Sequence, residues 1–289
     1  MRVRLAALGD SISVGMGDPV PGGWRGFVPL LADALGPPGA VELRNFSTAG
    51  ALTADVAAAQ MPAARRWRPQ VATLLVGVND TLRDTFDIGR AAERLWQAVH
   101  GLLDAEAVVV TACLPEPGRM LRMPAALARP LARRVGAVND VVHALSERYG
   151  TPHAHLATDP LVFDRRMWSV DRLHPSERGH RHLAGLYYDA LASGGFPVGT
   201  RPSPEPTNAA PTRRQQVRWM ATKGVRWVAD RSGDLVPQLA AMAVHEWRLA
   251  RRGLAHQLDQ RIAEDVRAAL AGLPVELSVG VGERAVPVT

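Results

Sequence analysis

Four polar clusters in this chain stand downstream of short apolar runs, and together they hold the residue types that acyl transfer requires. The run Val3 to Leu8 leads into Gly9, Asp10 and Ser11, and Val41 to Phe46 leads on to Gly50. Val71 to Val76 opens onto Gly77, Asn79 and Asp80, and a loop after His153 to Ala157 brings Asp171 and, three residues on, His174. Attack on an ester carbonyl needs a nucleophile, a base for its proton, a group that orients that base, and donors for the developing oxyanion. Each need has a candidate in one of these clusters.

Taken singly, every candidate has an ordinary structural reading. Ser11 at a strand-to-helix turn would serve as a helix N-cap, and Asn79 as a turn or cap residue. Asp171 and His174 could form a local hydrogen-bonded turn, and Gly50 could supply a positive φ. The joint occurrence at strand ends, where open parallel sheets bind ligands, is what favours chemistry.

In order and type, Ser11, Gly50, Asn79 and His174 resemble the four blocks that name the SGNH hydrolase superfamily, also called GDSL esterases, and Asp171 matches the family's Asp three residues before the His. Ile12 replaces the Leu often found there, a conservative apolar change. The resemblance covers roughly residues 1–193. It implies that His174 takes the Ser11 proton while Asp171 holds the imidazole, giving an acyl-enzyme on Ser11. It also implies an oxyanion hole made by the N–H groups of Ser11 and Gly50 and the side chain of Asn79. Hydrolysis of a small-molecule carboxylic ester is the expected activity, without metal or organic cofactor. Two alternatives stay open: an acyltransferase with a non-water acceptor, and a vestigial enzyme acting as a binding or oligomerisation protein.

The elements that must position these residues show in the periodicity. Five apolar runs, the fourth being Ala107 to Leu114, alternate with the amphipathic stretches Trp24 to Leu35, Thr53 to Arg65, Ile88 to Leu103, Leu131 to Arg148 and Ser176 to Ala192. Such alternation predicts a parallel sheet with crossover helices, and the resemblance sharpens this to a three-layer α/β/α sandwich with a flavodoxin-like five-stranded sheet. Residues 1–195 are expected to form the catalytic domain and 196–212, dense in Pro and Gly, a linker. Residues 213–289 are expected to form a helical appendage of unassigned role. Its stripe Leu254, Leu258, Ile262, Val266 and Leu270 should pack on the α/β domain. Weaker stripes run through Val217, Met220 and Val228 and through Leu235, Leu239 and Met242, and Val275 to Val281 reads as an edge strand or a tail.

Trp24, Phe163, Met167 and Trp168 are candidate walls of the substrate pocket, with loop packing an equal reading. Asp10 and Asp80 flank the site, where turn hydrogen bonding is a simpler role than metal binding. His153 and His155, and His180 and His182, lack the spacing or Cys partners of a zinc site and read as structural. Cys113, the single cysteine, reads as a buried thiol.

The net charge of +6 rests almost wholly on Arg, Lys223 being the only lysine. Richness in Ala and Arg points to a GC-rich, actinobacterial genome. The Arg residues are scattered without an aromatic-interleaved motif, so solvated helix faces rather than nucleic acid account for them. No apolar stretch is long enough to span a bilayer. The N-terminal run lacks the pattern of a secretory signal, so the expected compartment is the cytoplasm.

Overall fold

Val71–Leu75 (β5) is buried at all five positions, as a central strand covered on both faces must be. In the computed structural model, which describes residues 2–208, Arg214 and residues 235–274, this strand lies at the middle of a parallel sheet. Val3–Gly9 (β1) pairs on one side with Val41–Asn45 (β4) and on the other with β5, in the registers Leu5 to Leu43 and Leu5 to Val71. Val108–Ala112 (β6) and His153–Ala154 (β7) complete the order β4-β1-β5-β6-β7. The chain therefore runs outward from β1 in both directions, and the strand order reverses between β1 and β5. In such doubly wound sheets the crevice at that reversal, beyond the strands' carboxyl ends, is where ligands bind.

Helices cover both faces. Phe27–Ala34 (α2) packs against Glu177–Ser193 (α9), while Ile88–Leu103 (α6) and Ala125–Tyr149 (α8) pack together. The α/β/α sandwich with a flavodoxin-like strand order agrees with the sequence expectation. Several boundaries differ. Trp24 belongs not to α2 but to a small hairpin, Pro19–Val20 (β2) with Gly23–Trp24 (β3). α8 begins at Ala125 and runs through the buried Pro130, because its first turns pack on the short helix Pro117–Met120. β7 stops after two residues, since the Leu156 N–H turns back to the Ala154 carbonyl and the Ala157 N–H donates to Cys113 Sγ.

The Pro- and Gly-rich stretch after α9 carries no helix or strand up to residue 208, yet it is fastened to the body. The Gly199 N–H donates to Ala34 O at 2.8 Å, Arg201 pairs with Asp189, and the N–H groups of Thr207 and Asn208 donate to the Glu177 carboxylate. Its remainder, the stripe at Val217, Met220 and Val228, and Val275 to Val281 lie outside the described residues.

Leu235–Arg251 (α10) packs on α8, and Ala255–Ala271 (α11) packs on both α6 and α8. The stripe from Leu254 to Leu270 faces inward, with Val266 buried and Ile262 and Leu270 partly so. Glu246 of α10 is only 2 % exposed and forms a two-pronged ion pair with Arg133 of α8, which also reaches the exposed Asp259. Removing one partner of a buried pair strands the other charge, at a cost of about 3–5 kcal/mol. Arg133→Ala is therefore expected to loosen α10 and α11, seen as faster amide exchange in these helices than in β5.

Candidate functional site

The turn after β1 frees a hydroxyl. Asp10, not Ser11, caps the short helix Ser11–Val14 (α1), its Oδ1 accepting from the Ile12 N–H at 3.0 Å. Ser11 Oγ is left to meet His174 Nε2 at 2.9 Å, and His174 Nδ1 meets Asp171 Oδ2 at 2.7 Å. The other Asp171 oxygen accepts from Ser169 Oγ and from the N–H groups of Leu173 and His174. Burial by itself would raise the Asp171 pKa, but these hydrogen bonds and the His174 charge outweigh it and hold the group at about 2. The carboxylate is thus ionised and can only accept, so Nδ1 carries the hydrogen and Nε2 offers its lone pair to Ser11. A hydroxyl in this arrangement can pass its proton to the imidazole as it attacks.

Sites 163 residues apart meet because the intervening backbones approach closely. A Cβ on Gly17 would lie 2.0 Å from Pro175 O and 3.1 Å from His174 Cβ, so only glycine lets the His174 loop settle against the end of α1. Buried His180 donates from Nε2 to Met16 O at 2.9 Å and stays neutral, burial lowering its pKa to about 4. Arg25 bridges Asp18 and Glu177, both buried, and Glu177 also accepts from Arg181. This network clamps the start of α9, three residues past His174, to the segment following Ser11.

Gly50 and Asn79 come from the neighbouring strand ends. Asp80 binds the two segments together, accepting from the Thr53 N–H and from Thr53 Oγ1 at 2.6 Å. Asn79 Nδ2 donates to Ala51 O at 3.1 Å and more weakly to Asp10 Oδ2 at 3.4 Å. Gly50 adopts φ +79°, the left-handed region that favours glycine, and apart from its two chain neighbours no described residue has an atom within 4 Å of where its Cβ would be. Backbone conformation is therefore the protein's own reason for glycine here. Gln60 clamps the end of β1 from the other side, exchanging hydrogen bonds with both the N–H and the carbonyl of Gly9.

Asp10 is 1 % exposed, and burial raises its pKa to about 6, opposed by the Ile12 N–H and the His174 charge. A carboxyl with a folded pKa above its unfolded value binds more protons when folded, so stability falls as pH rises from about 4 to 6. The contribution is on the order of 3 kcal/mol at most. Urea midpoints at pH 4 and pH 7 are expected to show a smaller fall for Asp10→Asn than for the wild type.

Residues 7–182, more than half of the chain, match the model of the GDSL-like lipase/acylhydrolase family. The chain belongs to that family. Among solved structures, TesA superposes with a TM-score of 0.54 at 21 % identity, covering 66 % of this chain and 99 % of TesA. The lipase Lip_vut3 from a goat rumen metagenome gives 0.53 at 18 %, covering 67 % and 98 %. A catalytic mutant of Axe2, an acetylxylan esterase from Geobacillus stearothermophilus, gives 0.52 at 17 %, covering 68 % and 96 %. At these identities the likeness is one of fold. A search of curated sequences found no match. No described helix is long and apolar enough to cross a membrane.

Within this GDSL-like chain the four candidate wall residues separate. Met167 and Trp168 line a small apolar hollow with Ile12, Leu75, Leu156 and Val162, and Trp168 Nε1 is fixed to Val162 O at 2.6 Å. Phe163 stacks under the Arg119 guanidinium, 3.8 Å from its ring centre, and Trp24 is 45 % exposed on the hairpin. His182 pairs with Asp159 at 2.5 Å. His153 and His155 are not the isolated pair read from the sequence, since the fold adds Cys113 and His143 to them. Gln60, Gly17 and the Arg25 network were missed because nothing in their local sequence distinguishes them.

Proposed function

We propose that this GDSL-like acylhydrolase cleaves carboxylic esters through an acyl-enzyme on Ser11. His174 accepts the hydroxyl proton as Oγ attacks and then returns it to the leaving alcohol, while Asp171 holds the tautomer and stabilises the imidazolium. The oxyanion would be met by the Ser11 N–H, a helix-start amide that has no intrahelical acceptor, with the Gly50 N–H and Asn79 Nδ2 as partners. Asn79 exchanges its weaker contact with Asp10 for that role. The hollow behind Ile12, bounded by Met167 and Trp168, would take a short apolar acyl group. The observation that carries the reading is the continuous hydrogen-bonded line from Ser11 Oγ through His174 to Asp171.

The test is turnover of p-nitrophenyl acetate and butyrate by the wild type, with free acid quantified in the absence and presence of added alcohols. Steady acid release without an acceptor is expected. Turnover that appears only with an acceptor, or none at all, would overturn the assignment to hydrolysis. Asp80 acts here as a positioning residue, tying the Gly50 loop to Asn79. Asp80→Ala is expected to lower kcat by up to ~10²-fold, with KM little changed, as a displaced oxyanion donor would require. An equal rise in KM at constant kcat would point to lost substrate binding instead.

A further inference from the structure

At the β7 edge of the sheet, the carboxyl ends of β6 and β7 and α8 bring Cys113, His143, His153 and His155 together. One ligand atom from each, a thiol sulfur and three imidazole nitrogens, lies within 4.8 Å of every other. We propose that these four side chains form a binding site for a borderline-soft divalent transition metal, Zn²⁺ by its ligand types.

The donor set is complete for a closed tetrahedral site, and sulfur with imidazole selects Zn²⁺ over Mg²⁺ or Ca²⁺. Ligands about 2.0–2.3 Å from a central ion stand roughly 3.3–3.8 Å apart, so about an ångström of contraction closes the cluster. Two of the nitrogens ask for a partner. His143 Nε2 and His153 Nε2 are buried without any hydrogen bond, an arrangement that folded proteins seldom leave uncompensated. The opposite nitrogen of His153 is held by Thr111 Oγ1 at 2.8 Å, the outer contact that orients a ligating imidazole. Burial, with the neighbouring imidazoles adding to it, lowers the pKa of His153 to about 3 and also lowers that of His143, so their lone pairs are free at neutral pH.

Burial raises the Cys113 pKa, so the thiol is protonated until a cation arrives. On binding, the sulfur forms its bond to the metal and its proton leaves to solvent, so no oxidant or reductant is required. The Ala157 N–H, 3.2 Å from Sγ, then supports the thiolate. A filled site would tie β6, α8 and the start of the loop leading to Asp171 and His174, which makes its role structural.

The experiment is titration of the full chain, stripped with chelator and kept reduced, with Co²⁺ alone, followed by Zn²⁺. One Co²⁺ per chain is expected, with a thiolate-to-cobalt charge-transfer band that one equivalent of Zn²⁺ abolishes. Cys113→Ser should lack the band. His155→Ala, at an exposed position where the fold has little at stake, should weaken binding at least ~10- to 100-fold. No saturable band in the wild type, a band retained by Cys113→Ser, or equal affinity in His155→Ala would each overturn the site.

Discussion

Ser11→Ala is expected to lower kcat for p-nitrophenyl acetate by on the order of 10⁶-fold while leaving the thermal midpoint close to that of the wild type. Both halves follow from the turn after β1. In the proposed mechanism the hydroxyl is the attacking group, so its loss would remove the acyl-enzyme route and leave only what oxyanion donors and binding contribute. Structurally the residue is spared, because the helix cap it would ordinarily supply is provided by Asp10. Activity measurements with calorimetry on the same samples check both. A large fall in midpoint would mean that Ser11 holds the turn together, and wild-type turnover would mean that the nucleophile lies elsewhere.

Asp171→Asn should cost on the order of 10⁴-fold in kcat, through the tautomer rather than through displacement. An asparagine amide facing Nδ1 would donate, obliging Nδ1 to accept and moving the ring hydrogen to Nε2. Nε2 would then point a hydrogen at Ser11 Oγ and could not take its proton. The substitution also has a signed effect on stability. The folded carboxyl, held at about 2, lies below its unfolded value, so it contributes stability fully present above about pH 4 and lost as pH falls towards 2. At neutral pH that contribution is on the order of 2 kcal/mol. Chemical denaturation of both proteins at pH 7 and at pH 2 should show a gap at the first and almost none at the second.

Much of this was legible from residue order because each block sits on a strand end, where a buried apolar run stops and polar residues must begin. β1, β4 and β5 could be read almost to their limits, and Ser11, Gly50, Asn79, Asp171 and His174 could be picked out as candidates for the proposed chemistry. Tertiary contacts decided the rest. Pro130 signals a helix break, yet packing on the Pro117–Met120 helix carries α8 through it. Trp24 has the apolar character of the helix that follows, but Gly22 and Gly23 turn it into a hairpin. The Pro-rich strap shows its breakers in sequence and conceals its acceptor, Glu177, thirty residues away in the chain. Cys113 and His143 gave no sign of meeting His153 and His155, since neither helix nor strand periodicity reports on a contact between layers.

The central claim is that Ser11 is a nucleophile activated by His174, and the most direct measurement is covalent capture. Wild-type protein treated with diethyl p-nitrophenyl phosphate should gain one diethylphosphoryl group, release one p-nitrophenolate, and yield after digestion a single modified peptide bearing the adduct on Ser11. His174→Ala should react far more slowly under the same conditions. An adduct at another residue, or equal labelling of the wild type and His174→Ala, would contradict the account.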